Sequence, residues 1–198
     1  SVADFEGFKP NISLVVSGGH TQLVHVRGLL DHTVLGATLD DAAGECFDKI
    51  AKLLGLAYPG GPELDRLSDK GNPAAYEFPR PLLNDSNDNF SFSGLKTSVR
   101  YFLEKNSELI EDNDQLPDLC ASAQAAIVEV LVKKTLRAAA REGVSCITAS
   151  GGVACNRLLR AELAAACEKQ GVSLYLASPK LCTDNAAMIG ILAEQKLK

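Results

Sequence analysis

LVVSGGHTQL, Leu14 to Leu23, runs an apolar strand straight into Ser-Gly-Gly, and ITASGGVACN, Ile147 to Asn156, does the same again. Glycine after a strand permits positive φ and leaves no Cβ in the way, so backbone N–H groups can close on a phosphate oxygen. The first turn lies between two apolar stretches and reads as a hairpin. The second opens onto a helical pattern, whose unpaired first amides and positive dipole end add to anion binding. Either turn taken alone reads more readily as a plain tight turn. Two of them in one chain make a shared phosphate floor the sharper reading.

Outward from the first turn, residues 12–16, 22–26 and 32–35 read as three short strands separated by glycine-containing turns, an antiparallel meander. A helix follows over 40–54, with Ala42, Ala43, Cys46, Phe47, Ile50, Ala51 and Leu54 at helical spacing and Gly55 closing it. Pro59-Gly60-Gly61-Pro62 stops any continuation. Helices over 63–70 and 94–105 flank a Pro- and Asn-rich loop, and a long helix spans 117–141. Outward from the second turn the pattern is strand 145–149, helix 154–169, strand 172–177 and helix 183–197. That alternation implies parallel strands with right-handed crossovers. The sum is an α/β fold: a mixed five-stranded sheet flanked by helices, in the order of one lobe of the actin-like ATPase fold (ASKHA, ribonuclease H-like). Residues 11–198 form the lobe and about 61–116 a helical insertion.

At 198 residues and 46% apolar content the chain can bury a sizeable core. No run approaches the roughly 18–20 apolar residues of a membrane span, and the first residues lack the basic-then-apolar order of a secretory signal. Six scattered cysteines, with no C-x-x-C pair, fit a reducing compartment, so a cytoplasmic location is expected. The net charge of −5 excludes wholesale wrapping by nucleic acid but allows a local basic patch.

Asp41, Glu45 and Asp48 share one helical face by their spacing. They read either as a solvated face or as carboxylates reaching sugar hydroxyls or a metal-bound phosphate, with residues 59–62 as a flat backbone wall beside a ribose or base. Asp184, at a strand-loop-helix junction, is either a helix cap or a hard ligand for a divalent ion that holds a phosphate. FSFSGLK, Phe90 to Lys96, reads either as an exposed loop with Ser93 capping the next helix or as a segment whose Lys96 meets a phosphate. His20, His25 and His32 are spaced as strand or turn residues. His20 adjoins the first turn, either bonded within the hairpin or available as a base.

Four motifs in one order, VVSGGHTQL, DDAAGECFDKIAKLLGLAYPGGP, FSFSGLK and SGGVACNRLLR…CTDNAAM, closely resemble the TsaD family of tRNA threonylcarbamoyladenosine synthases, once labelled O-sialoglycoprotein endopeptidases. The likeness runs from about Asn11 to the C-terminal end. It implies transfer of a threonylcarbamoyl group from threonylcarbamoyl-AMP to N6 of the adenosine beside the tRNA anticodon. Residue by residue it implies substrate binding by Val15, Val16, Ser17, Gly18, Gly19, Asp48, Gly61 and Asn156, and metal binding by Asp184. The implied cofactors are one divalent metal, Fe(II), and threonylcarbamoyl-AMP or ATP as nucleotide.

Against the family pattern, the N-terminal lobe and its H-x-x-x-H metal ligands are missing, so residues 1–10 read as a linker remnant and the chain as a C-terminal lobe, inactive alone. Ala186 stands where many members have Gly. The implied partners are tRNA, with a paralogous pseudo-subunit and a P-loop ATPase in a bacterial setting, or a homodimer in a mitochondrial one, and no membrane. Arg157, Arg160 and the basic end of the long helix (Lys133, Lys134, Arg137, Arg141) are the candidate tRNA contacts. Three rivals stay open: a small-molecule kinase of the same superfamily, a metallopeptidase, for which no H-E-x-x-H is present, and a noncatalytic scaffold lobe.

Overall fold

The computed structural model of the chain describes residues 8–28, 30–112, 114–183 and 185–197, so residues 1–7 of the expected linker and Asp184 lie outside the described residues. Five strands, β1 (Asn11–Val16), β2 (Thr21–Gly28), β3 (Asp31–Ala37), β4 (Cys146–Ser150) and β5 (Ser173–Leu176), form one sheet in the order β3-β2-β1-β4-β5. β1, β2 and β3 pair antiparallel, whereas β4 is parallel to both β1 and β5. This is the mixed sheet of one actin-like lobe, and β1 is its centre. Ile12, Leu14 and Val16 on one face of β1 are fully buried, while Ser13 and Val15 on the other are half-buried. The period-2 pattern of the sequence therefore sets which side of the strand meets the core.

Six helices surround the sheet: α1 (Ala43–Leu53), α2 (Gly60–Ser68), α3 (Ser93–Lys105), α4 (Gln115–Glu142), α5 (Arg157–Gln170) and α6 (Ala186–Leu197). α4 is apolar on nearly every side, and a helix of that kind must lie inside. Ala123, Ala126, Ile127, Val130 and Leu131 pack with Ile12, Leu14, Phe47 and Ile50 in one continuous core. Leu64, Phe90, Phe92, Leu95 and Val99, from the segment expected as an insertion, belong to that same core. No described helix is long and apolar enough to cross a membrane.

The helix starts differ from the sequence expectation, by three residues at α1, α2, α5 and α6 and by one or two at α3 and α4. α1 begins at Ala43 because Asp40 turns away to the FSFSG segment, where it accepts from the N–H groups of Phe92 (2.8 Å) and Ser93 (3.2 Å) and the hydroxyls of Ser91 and Ser93 (both 2.6 Å). Asp40 thus caps α3 from another element, and Ser93 donates to that carboxylate instead of capping its own helix. α2 begins at Gly60, earlier than expected, so Gly60, Gly61 and Pro62 are its first turn and not a flat wall. α5 begins at Arg157, later than expected, because Asn156 caps it by accepting from the Leu159 N–H at 2.9 Å.

Candidate nucleotide-binding cleft

Val15 of β1 stands opposite Ser150 of β4 in a parallel register, so both Ser-Gly-Gly turns leave the same end of the sheet side by side. They touch. Gly151 has φ +96°, and a Cβ there would come within 2.1 Å of the Val16 carbonyl oxygen, a space that only glycine fits. In the first turn the Ser17 Oγ accepts from the N–H groups of Gly19 (3.3 Å) and His20 (3.0 Å), and the Ser17 N–H donates to the His20 carbonyl (2.8 Å). Those bonds fix the turn and leave the Gly18 N–H without an acceptor among the described residues.

The second turn does not open directly onto an α-helix: a single 3-10 turn, Gly152–Cys155, intervenes before α5. Its first internal bond runs from the Ala154 N–H to the Gly151 carbonyl at 2.9 Å. The N–H groups of Gly152 and Val153 therefore have no acceptor within the turn. The expected dipole of a full helix behind Gly152 is replaced by the amides of one short turn.

Above these turns lies a cleft of about 390 Å³ bounded by Gly18, Gly44, Phe47, Asp48, Gly61, Asp65, Gly152 and Asn156, among others. α1 forms one wall by pressing its start onto the first turn. The Ala43 N–H donates to Thr21 Oγ1 at 2.8 Å and the Gly44 N–H to the Ser17 carbonyl at 3.2 Å. A Cβ at Gly44 would lie 2.6 Å from that carbonyl oxygen. α2 supplies the facing wall, anchored where Asp48 Oδ1 accepts from the Gly61 N–H at 3.0 Å. That contact leaves the second Asp48 oxygen for a ligand. At the back, Asn156 is 9% exposed and donates to Gln124 Oε1 at 2.7 Å while capping α5.

Of the residues expected to bind substrate, the structure brings Gly18, Asp48, Gly61 and Asn156 around one cleft. Val15 and Val16 are strand residues behind its floor, and Ser17 and Gly19 complete the turn without bordering the cavity. The shared acidic face divides. Asp41 and Glu45 both hold Lys49 Nζ at 2.8 Å, and Lys96, expected on a phosphate, lies 3.4 Å from Asp41. Asp48 alone of the three turns to the cleft. Hydrogen bonds from Lys49 to Asp41 and Glu45 raise the lysine above its ordinary value and keep it charged.

The cations expected to meet tRNA are engaged within the chain. Arg157 Nε donates to Asp65 Oδ2 at 2.9 Å and its Nη1 to Asp69, while Arg160 Nη1 donates to the carbonyls of Ala154 (2.9 Å) and Ala177 (3.2 Å). At the end of α4, Lys134 and Arg137 donate to the Asn87 carbonyl, Arg141 grips Asp88, and Lys133 pairs with Glu129. His20 is exposed and closes the hairpin through its backbone. No three His, Cys, Asp or Glu side chains converge on a metal-sized site among the described residues.

Sequence reasoning missed Gly44, Asp65 and Gln124. Gly44 and Asp65 give no local signal, since their roles depend on contacts with distant segments. Gln124 did give one, as a polar residue inside the apolar stripe of a buried helix. One Asp65 oxygen is buried without a partner beside the cleft, which is acceptor capacity for a ligand hydroxyl.

A family model described as TsaD, tRNA N6-adenosine threonylcarbamoyltransferase, matches residues 2–191. Curated relatives with that same name include proteins of Geobacter metallireducens (56% identical, covering 92% of this chain and 53% of the relative) and Geobacter sulfurreducens (53% identical, 96% and 55%). A third, from Syntrophotalea carbinolica, is 52% identical over 95% of this chain and 55% of its own length. The chain thus spans just over half the length of these relatives. Full-length HypF, solved in a phosphate- and nucleotide-bound form, shares the fold with a TM-score of 0.73 at 13% identity, over 100% of this chain and 34% of that one. The family model reaches across nearly the whole chain, both glycine turns and the cleft between them included, and the chain belongs to the TsaD family.

Proposed function

We propose that the cleft binds the adenylate of threonylcarbamoyl-AMP and that the protein takes part in transferring the threonylcarbamoyl group to N6 of an adenosine in tRNA. The observation that carries this reading is the pair of Ser-Gly-Gly turns lying in contact at the floor of one cleft. The Gly18, Gly152 and Val153 amides are donors for the phosphate. The unpartnered oxygens of Asp48 and Asp65 are acceptors for the ribose hydroxyls. Val15 and Val16 hold this floor from behind, Ser17 and Gly19 fix its shape, Gly61 orients Asp48, and Asn156 closes the rear.

In the proposed reaction the N6 lone pair forms a bond to the carbamoyl carbon, the bond from that carbon to the AMP oxygen breaks, and the amine loses a proton. Charge builds on the departing phosphate, and the fixed floor amides stabilise it there without reorganising. No side chain is assigned as the base. Asp184 would supply one hard oxygen ligand to a divalent ion, Fe(II) by the resemblance, but one carboxylate does not make a site and no step is routed through it. We further propose that transfer requires protein beyond these 198 residues. The same reading places the protein in the cytoplasm with tRNA as substrate, working with a paralogous subunit and a P-loop ATPase or as a homodimer.

Titration calorimetry with AMP tests the binding part. The wild-type chain should bind, and Asp48→Ala should weaken binding at least tenfold, or about 1.4 kcal/mol. Equal affinity in both proteins would remove Asp48 from the site.

A further inference from the structure

Five of the six cysteines, Cys46, Cys120, Cys146, Cys167 and Cys182, are buried, and Cys155 is half-buried. Burial pushes Cys46 and Cys120 up to about 12, so their reactive thiolates are scarce. Cys155 and Cys182 stand apart by lying on neighbouring turns at the cleft end of the sheet. Cys155 ends the Gly152–Cys155 turn, is half-buried, and borders the cleft. Cys182, 5% exposed, follows the Pro179–Leu181 turn, and its Sγ donates to the Ala177 carbonyl at 3.4 Å. The Gly152–Cys155 and Pro179–Leu181 turns pack against each other, and burial together with the neighbouring Cys155 thiol pushes Cys182 up to about 11. Of the pair, Cys155 borders the cleft and Cys182 is buried. Nothing in the proposed transfer uses either.

We propose that Cys155 and Cys182 form a reversible disulfide when hydrogen peroxide reaches the cleft, tying the second glycine turn to the segment that leads to Asp184. The Cys155 thiolate attacks the peroxide O–O bond, giving a sulfenic acid and one water. The Cys182 sulfur then displaces the sulfenic hydroxyl, which leaves as a second water. Two thiols lose two electrons and two protons in all, and the peroxide takes both. A low-molecular-weight thiol reverses the bond by exchange. The cross-link draws the Cys155 side chain out of the cleft wall and pins the turn that carries Gly152.

The test is peptide mapping of the chain after hydrogen peroxide, with one alkylating label added in denaturant before reduction and a second added after it. Peptides bearing Cys155 and Cys182 should exchange label together in equal amounts, Cys46 and Cys120 should keep the first label, and dithiothreitol before labelling should restore the starting pattern. In Cys182→Ser, Cys155 should advance to sulfinic acid instead. A wild-type protein in which Cys155 is over-oxidised while Cys182 stays a thiol, in which the link joins other cysteines, or in which neither thiol is oxidised would overturn the proposal. Only the effect on the cleft rests on the adenylate reading. Failure of the reduced chain to bind AMP would sink that reading while leaving the mapped disulfide standing.

Discussion

Gly151 and Gly18 stand in neighbouring turns under opposite constraints. Gly151 has positive φ and the Val16 carbonyl where its Cβ would be, so Gly151→Ala should cost about 2–3 kcal/mol by overpacking and strain. Thermal unfolding reads this as a clear drop in midpoint. At Gly18 and Gly152 a Cβ would meet nothing within 4 Å. Gly18→Ala and Gly152→Ala should therefore change stability by no more than about 0.5 kcal/mol. Their added methyl groups would enter the space where a phosphate approaches, and calorimetry should show AMP affinity falling at least tenfold. Asp48 combines both kinds of role. Asp48→Ala also removes the acceptor of the Gly61 N–H, at about 1 kcal/mol, whereas Asp48→Asn should keep much of that capping while losing the charge.

At the scale of elements, the FSFSG segment and α3 are held by one carboxylate from the segment before α1. Burial alone would raise Asp40, but the hydroxyls of Ser91 and Ser93 and the N–H groups of Phe92 and Ser93 outweigh it and hold it below its ordinary value. A carboxylate lowered in the folded state contributes stability that is complete above its unfolded value of about 3.9 and is lost as pH falls through the folded one. Chemical denaturation from pH 6 to pH 3 should show a shallower loss of stability in Asp40→Asn than in wild type.

The same residue shows why element types were legible and ends were not. Apolar spacing in α1, α3 and α4 and alternation in β1 are local signals, and they identify the elements in order. The start of α1 depends on Asp40 reaching the FSFSG segment, and Asn156, which caps α5, is held in place by Gln124, contacts between residues far apart in sequence. The candidate site divides likewise. The glycine turns are visible as motifs, but the division of Asp41, Glu45 and Asp48 between Lys49 and the cleft depends on where α2 docks.

For the molecule as a whole, the charge that reads as a nucleic-acid patch on α4 is spent on holding its own fold. Lys134 is fully buried, donates to the Asn87 carbonyl at 3.0 Å, and lies over the Phe90 ring, so it clamps the loop ahead of Phe90 to the core. Lys134→Ala should cost about 2–4 kcal/mol through the cavity it leaves. Lys134→Met keeps the volume, and Arg137 still donates to Asn87, so its cost should be below about 1.5 kcal/mol. Equal unfolding midpoints for the two variants would count against lost packing volume as the source of the cost.

The most direct test of the central claim, that the paired Ser-Gly-Gly turns hold the adenylate used in tRNA modification, is nucleoside mass spectrometry of digested tRNA. The cells would be depleted of their own copy and carry the full-length gene, either wild type or with Gly18→Ala and Gly152→Ala together. Wild type should restore threonylcarbamoyladenosine, and the double variant, soluble at the same level and with the same melting midpoint, should not. Full restoration by the double variant would contradict the claim, because a phosphate floor cannot tolerate two added methyl groups where it meets its ligand.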